Sequence, residues 1–179
     1  MEKKYKLTAE TCEYEGCVLH RIVALKDFSS VKAGDKGGWI EKEENLSQDG
    51  CCWVYGDAKV CDNAIVCGNA KVYGDAIVYG NADVYGNARV YGDAKVYGDA
   101  KVTNNRDLIV FKNWWSSGRY FTWTRSNNKW RVGCFYGTGE ELIAKAYSDS
   151  QESGREYERV VKYVESILKD EQQDNNNVK

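Results

Sequence analysis

From position 54 onward a valine recurs every six residues: Val54, Val60, Val66, Val72, Val78, Val84, Val90, Val96 and Val102. An alanine follows each of the first eight by four positions, from Ala58 to Ala100. A period of six cannot hold one face of a helix with about 3.6 residues per turn, and a glycine in nearly every unit would cost about 1 kcal/mol each in a helix interior. The Ala-x-Val core instead alternates inward, outward, inward, as a short strand does. The Gly followed by Asp or Asn suits a corner, because these residues tolerate positive φ and bond side chain to backbone. A strand and a corner every six residues close most simply into a triangle, three sides to a coil, with backbone hydrogen bonds between coils about 4.8 Å apart. The corner residues agree with that winding: Asp57, Asp75 and Asp93 fall on one corner at the spacing of a whole coil.

Over residues 53–106 these features resemble the hexapeptide-repeat left-handed parallel β-helix, a fold of many acyltransferases and sugar-nucleotide enzymes. The left-handed sense is what the resemblance implies. The expected fold is therefore mainly β: about three regular coils at 53–106, an N-terminal β cap at 1–52, and a C-terminal β-hairpin plus two-helix α+β module at 107–170. The tail at 171–179, "EQQDNNNVK", is expected to be disordered.

Valine and alanine fill the inside of such a prism, so function is expected on its outside. Outward positions stack into ladders: Tyr55, Tyr73 and Tyr91; Cys61, Tyr79 and Tyr97; Cys67 and Tyr85. Aromatic ladders first of all stabilise neighbouring strands. They also offer contact area to a partner, and Tyr73, Tyr79, Tyr85 and Tyr91 with outward Ile65 and Ile77 form the expected interface of a homo-oligomer, a trimer or a dimer. The Asp57, Asp75 and Asp93 column serves the corner turns and is not taken as a metal site.

Acyltransferases of the resembled fold use a histidine on a coil as general base. Here the one histidine of the sequence is His20, in the apparent strand "CVLHRIVAL", and none lies on the coils. Without an imidazole there, acyl transfer by that mechanism loses its central residue. The expectation is no enzyme, no catalytic residue and no cofactor. Seven cysteines, an odd number, lie in no paired CxxC and no secretory signal is evident at the start, which fits reduced thiols in a cytoplasmic protein and no zinc site. A net charge of −2 gives no global attraction to nucleic acid, so a charged partner must be met locally. No apolar run is long enough to cross a membrane.

The N-terminal residues 4–25 read as two strands, "KYKLTA" and "CVLHRIVAL", turning at Glu15-Gly16. After the coils, "DLIVFK" reads as a strand. "RYFTWTR" and "KWRVGCF" flank Asn127-Asn128 as a hairpin, and a two-residue turn there would set Trp123 opposite Val132 and Phe121 opposite Cys134. Thr138 and Glu141 form a capping box for a helix to about Asp149, and Tyr157, Val160, Val161, Val164, Ile167 and Leu168 form the stripe of a second helix. The glycines of "GCFYGTGEEL" do not make a phosphate loop, since Glu140 and Glu141 occupy the helix's first turn.

Residues 112–131, "KNWWSSGRYFTWTRSNNKWR", combine five basic residues, no acid and four tryptophans. Cations among π faces suit a nucleotide or a single strand of nucleic acid, whose bases gain about 1–3 kcal/mol each by stacking. Alternation assigns Phe121, Trp123 and Trp130 to the module core. It leaves Lys112, Trp114, Trp115, Arg119, Tyr120, Lys129 and Arg131 as candidate ligand-binding residues. Together "KYKLT", "DFSSVKAGDKGGWI", "WVYGDAKV" and the aromatic C-terminal segment resemble a group of hexapeptide-repeat proteins of phages and prophages. That resemblance implies a counter-defence factor that sequesters a nucleotide signal or blocks a host immune protein. The alternatives are an acyltransferase-like enzyme and a structural scaffold.

Overall fold

The computed structural model describes residues 2–177. Its centre is a β-solenoid of two-residue strands: β4 (Trp53–Val54), β5 (Lys59–Val60), β6 (Ile65–Val66), β7 (Lys71–Val72), β8 (Ile77–Val78), β9 (Asp83–Val84), β10 (Arg89–Val90), β11 (Lys95–Val96) and β12 (Lys101–Val102). They follow N-terminal strands β1 (Tyr5–Tyr14), β2 (Cys17–Ala24) and β3 (Lys36–Ile40). Parallel pairing makes three faces: β3-β5-β8-β11 on the first, β4-β7-β10 on the second and β6-β9-β12 on the third. The valines and alanines point inward and are fully buried, so the shaft is filled by its own side chains.

Each corner turns on a residue with positive φ, a glycine at Gly56, Gly68, Gly74, Gly80, Gly86, Gly92 and Gly98. The next position stacks coil on coil: Asn63 donates to Asn81 and Asn81 to Asp99, each at 3.2 Å across 18 residues, and Asn69 donates to Asn87 in the same way. Backbone amides bond the following coil at 2.8–3.1 Å, for example Tyr55 N to Val72 O at 2.8 Å and Cys61 N to Val78 O at 3.1 Å.

The stack starts one coil before the regular repeat, making about four turns. Trp39 and Ile40 of β3 pair in parallel with Lys59 and Val60, and Leu46 bridges Val66. Ile40 and Leu46 take inward places that valine takes later, and the corner between Leu46 and Trp53 holds two extra residues, which hides this coil from a six-residue count. Gly38 lets β3 lie tight, since a Cβ there would stand 2.5 Å from Ala58 O.

The β1-β2 hairpin turns at Glu15-Gly16, both with positive φ, and extends the first face through β3. It closes the lower end of the prism. Tyr5, Ile22, Val31 and Leu46 are buried beside Trp53, and buried Lys4 satisfies its ammonium on Cys52 O at 3.0 Å and Asp49 O at 3.4 Å.

The upper end carries a four-stranded antiparallel sheet rather than a lone hairpin: β13 (Leu108–Lys112), β14 (Tyr120–Thr124), β15 (Lys129–Val132) and β16 (Phe135–Gly137). The β14-β15 register is two residues from the expected one, with Trp123 opposite Trp130 and Phe121 opposite Val132. The turn takes four residues because Asn127 Oδ1 accepts from Thr124 Oγ1 at 2.6 Å and Lys129 N at 3.2 Å, while Asn128 carries the positive φ. A slip of two preserves which face each side chain occupies. Cys134 leaves the strand pairing, because Gly133 turns the chain back into β16.

Helices α1 (Gly139–Asp149) and α2 (Gln151–Asn177) cover the apolar face of this sheet, burying Phe121, Trp123, Trp130 and Val132 against Leu142, Val161 and Val164. The capping box at Thr138 and Glu141 opens α1 as expected. Where the sequence predicts a disordered tail from 171, α2 continues to Asn177. Arg125 of the β14-β15 turn holds Glu171 of this helix, its guanidinium donating to both carboxylate oxygens at 2.8 and 3.3 Å. Residues 178–179 of that tail lie outside the described residues. Among the described residues no helix is long and apolar enough to cross a membrane.

The polar face of the sheet sits on the last coil, whose amides have no further coil to bond. Thr122 Oγ1 accepts from Lys95 N at 2.9 Å, Ser126 Oγ from Lys101 N at 2.7 Å, and the Asp107 carboxylate from Thr103 N at 2.8 Å. Asp107 also accepts from Thr103 Oγ1 at 2.6 Å and Asn104 N at 3.1 Å. Burial alone would raise its carboxyl, but the Thr103 and Asn104 bonds and then Arg125 outweigh it and hold it below the usual range. A depressed carboxyl contributes stability that is complete above the ordinary Asp value of about 3.9 and is lost as pH falls through the folded value. Asp107→Ala is expected to cost about 2 kcal/mol in urea unfolding at neutral pH, with the gap to wild type closing below about pH 4.

Candidate functional site

The seven residues expected to bind ligand do not form one patch. Arg131 points at the solenoid, its guanidinium stacked on Tyr97 at 5.0 Å and Tyr79 at 5.5 Å and bonded to Cys134 O at 3.1 Å. Burial pushes the Tyr79 phenol up to about 12 despite that cation, so it stays protonated at neutral pH. Trp115 packs into the module core between Phe121 and Tyr157, at 6.0 and 5.9 Å. Lys112 lies over Tyr120 at 5.5 Å on the sheet, and half-buried Lys129 sits at the β14-β15 turn. Trp114 is the outlier at 82% exposed. Arg119 is exposed beside Gly133, at the rim of a groove of about 260 Å³ with Tyr157, Leu142 and Lys145. Alternation places Phe121, Trp123 and Trp130 in the core, as observed, but leaves out Trp115, which joins them, and does not show that the sheet's polar face is spent on the solenoid end. Arg131→Ala is accordingly expected to lower stability by about 2 kcal/mol in chemical denaturation, through loss of two desolvated cation–π contacts, and to leave ligand affinity unchanged.

Two of the residues expected at an oligomer interface are covered by the chain itself. Ile77 and Tyr79, on the first face, are buried under Leu19 and Tyr14 of the β1-β2 hairpin, which folds over the outside of the coils. The repeat alone makes them outward, and it carries no information about where the N-terminal hairpin lies. Ile65 and Tyr85 of the third face remain exposed, as does Tyr91 of the second, at 57%; Tyr73 is half-buried.

The second face has a different character. Its outward strand positions after Trp53 are Lys71 and Arg89, directly opposite each other in adjacent coils. Among the described residues neither cation has a carboxylate within ion-pair distance. By contrast, the third face sets Lys101 opposite Asp83. Beside the two cations runs the phenol ladder: Tyr73 and Tyr91 stack at 5.6 Å with planes 15° apart, and Tyr55 meets Tyr73 edge-on at 6.4 Å. Lys71 also reaches over the Tyr55 ring, at 6.0 Å, and the Tyr55 hydroxyl lies 3.3 Å from Ser30 Oγ.

Ser30, Tyr55, Lys71, Tyr73 and Arg89 line a groove of about 350 Å³. Arg89 and Tyr91 continue it into a smaller one of about 120 Å³ under Leu108 and Val110 of the module. Like charges on adjacent rungs repel and gain nothing from each other. An anion between them would remove that cost, and the phenol faces beside it suit a planar ring. The sequence carries this column in the outward positions of one face, where Lys71 and Arg89 stand 18 residues apart.

The fold defines a hexapeptide-repeat β-solenoid protein capped at both ends, with a cationic, phenol-lined outer face. Comparison with known proteins agrees with the architecture. A family model described as the YdcK beta solenoid repeat matches residues 84–98. The protein named "Uncharacterized acetyltransferase YdcK" of Escherichia coli (strain K12) is 38% identical over 61 residues, covering 30% of this chain and 19% of that protein. The chain thus spans about a fifth of the relative it matches.

Proposed function

We propose that the chain is a binding protein whose second solenoid face holds a phosphate-bearing aromatic ligand of the nucleotide class. The carrying observation is the unpaired Lys71/Arg89 column set against stacked Tyr73 and Tyr91. Phosphate oxygens bridge the two cations, and the base lies on the phenols. Binding then needs no covalent step, and the biological use is sequestration of a nucleotide signal, the counter-defence role that the phage resemblance implies. This moves the ligand from the C-terminal patch to the coils, leaving the module as the cap that completes the groove with Leu108 and Val110. Exposed Ile65 and Tyr85 on the third face are the surface through which copies associate as dimers or trimers.

A second reading, acyl transfer, is favoured by the name of the matched relative and by chemistry, since an acyl-coenzyme A also carries a phosphorylated nucleotide. It requires a base. His20, the one histidine, sits on the N-terminal hairpin with Nδ1 3.2 Å from Thr8 O. Isothermal titration against cyclic nucleotides, short oligonucleotides and acetyl-coenzyme A separates the two. Saturable heat with a nucleotide and no acetyl transfer to any acceptor supports the binding reading. Heat with acetyl-coenzyme A accompanied by turnover supports the second, and no heat with any of them removes both.

A further inference from the structure

One corner of the solenoid breaks the repeat. Where the other regular corners turn on glycine, the unit starting at Cys61 has Asp62, which takes φ of 57°. For a residue other than glycine that conformation costs on the order of 1 kcal/mol or more. Asp62 follows Cys61, itself in a position that later coils fill with tyrosine, and folding brings Cys17 of the β1-β2 hairpin to the same place from 44 residues away. The two sulfurs and an Asp62 oxygen all lie within 4.8 Å of one another. Cys17 Sγ stands 3.6 Å from Asp62 Oδ1. Zinc–sulfur and zinc–oxygen bonds of about 2.3 and 2.0 Å at a tetrahedral angle span an S-to-O edge of about 3.5 Å, which that distance matches.

We propose that Cys17, Cys61 and Asp62 bind a soft divalent metal ion of the zinc type, with a water molecule in the fourth position. Glu41 supports the site from outside, its Oε2 accepting from Asp62 N at 2.6 Å. The other Asp62 oxygen is held by Gly80 N at 3.0 Å, which orients the carboxylate toward the thiols. Binding takes up one metal ion and releases two protons, one from each thiol. Because Cys17 opens β2 and Cys61 lies on the first regular coil, the ion fastens the N-terminal cap to the shaft. The site is separate from the Lys71/Arg89 groove and stands or falls independently of it.

The test uses the reduced full chain with zinc or cobalt(II) chloride alone. Expected are one equivalent of bound metal, thiolate-to-cobalt charge-transfer absorption with tetrahedral ligand-field bands, and a higher melting temperature with zinc. Asp62→Gly restores the corner residue of the other units and so folds; it should weaken the metal at least about tenfold while leaving the metal-free protein no less stable. Cys17→Ser should abolish the charge-transfer band, and Cys134→Ser, at an exposed thiol, should not change it. Absence of stoichiometric binding overturns the proposal, as does metal binding that survives both Asp62→Gly and Cys17→Ser.

Discussion

Excising residues 73–90, one whole coil, is expected to leave a cooperatively folded protein, whereas excising 73–89 is expected to leave none. The first deletion joins Val72 to Tyr91 and keeps every later valine inward, every glycine at a corner and every amide opposite a carbonyl. The module still finds Lys95 N and Lys101 N on the last coil, and the N-terminal cap still lies on β5. The cost is the removed layer with Val78, Val84 and Val90, each contributing roughly 1.5–3 kcal/mol of burial before ordering entropy is subtracted, so unfolding should move to lower urea with one transition. The second deletion puts Val90 where an outward tyrosine stood and turns all later coils inside out. Far-ultraviolet circular dichroism through a urea titration reads both. Equal behaviour of the two variants would contradict a winding of 18 residues.

The double charge reversal Lys71→Glu/Arg89→Glu is expected to weaken nucleotide binding by at least about 100-fold, since two charge-assisted contacts of about 1.5–3 kcal/mol each are lost and two repulsions replace them. Both side chains point outward, so the urea midpoint should move little. Tyr73→Ala should cost a further factor of about 10, from one stacking contact of about 1–3 kcal/mol. The same Glu substitutions would leave affinity intact if the ligand lay in the Arg119 groove of the module, which makes titration calorimetry on this variant a test of position as well as of charge.

The shaft was legible in the sequence because its rules are local: a six-residue period, small inward residues and αL corners suffice to set winding and stacking. The first coil was not, since Ile40 and Leu46 satisfy the same inward positions with different side chains and two extra corner residues break the count. The module's helices and their apolar stripe were legible from capping and periodicity, while the register of β14 and β15 depended on Asn127 and Asn128 hydrogen bonds that no pattern encodes. The tail was misread because its polar composition suggests disorder, whereas Arg125 anchors Glu171 and the helix continues. For the candidate site, the tyrosine ladder was visible and its cation column was not read. The densest cluster of tryptophan and arginine is the stronger sequence signal, and most of it supports the core or the cap.

The most direct measurement is a nuclear magnetic resonance titration of the full chain with a purine nucleotide, following the tyrosine ring and lysine and arginine side-chain signals. The outer-face account predicts saturable shifts at Tyr55, Tyr73, Tyr91, Lys71 and Arg89, with Trp114 and Arg119 unmoved. Shifts confined to the module, or none at saturating nucleotide, would contradict it.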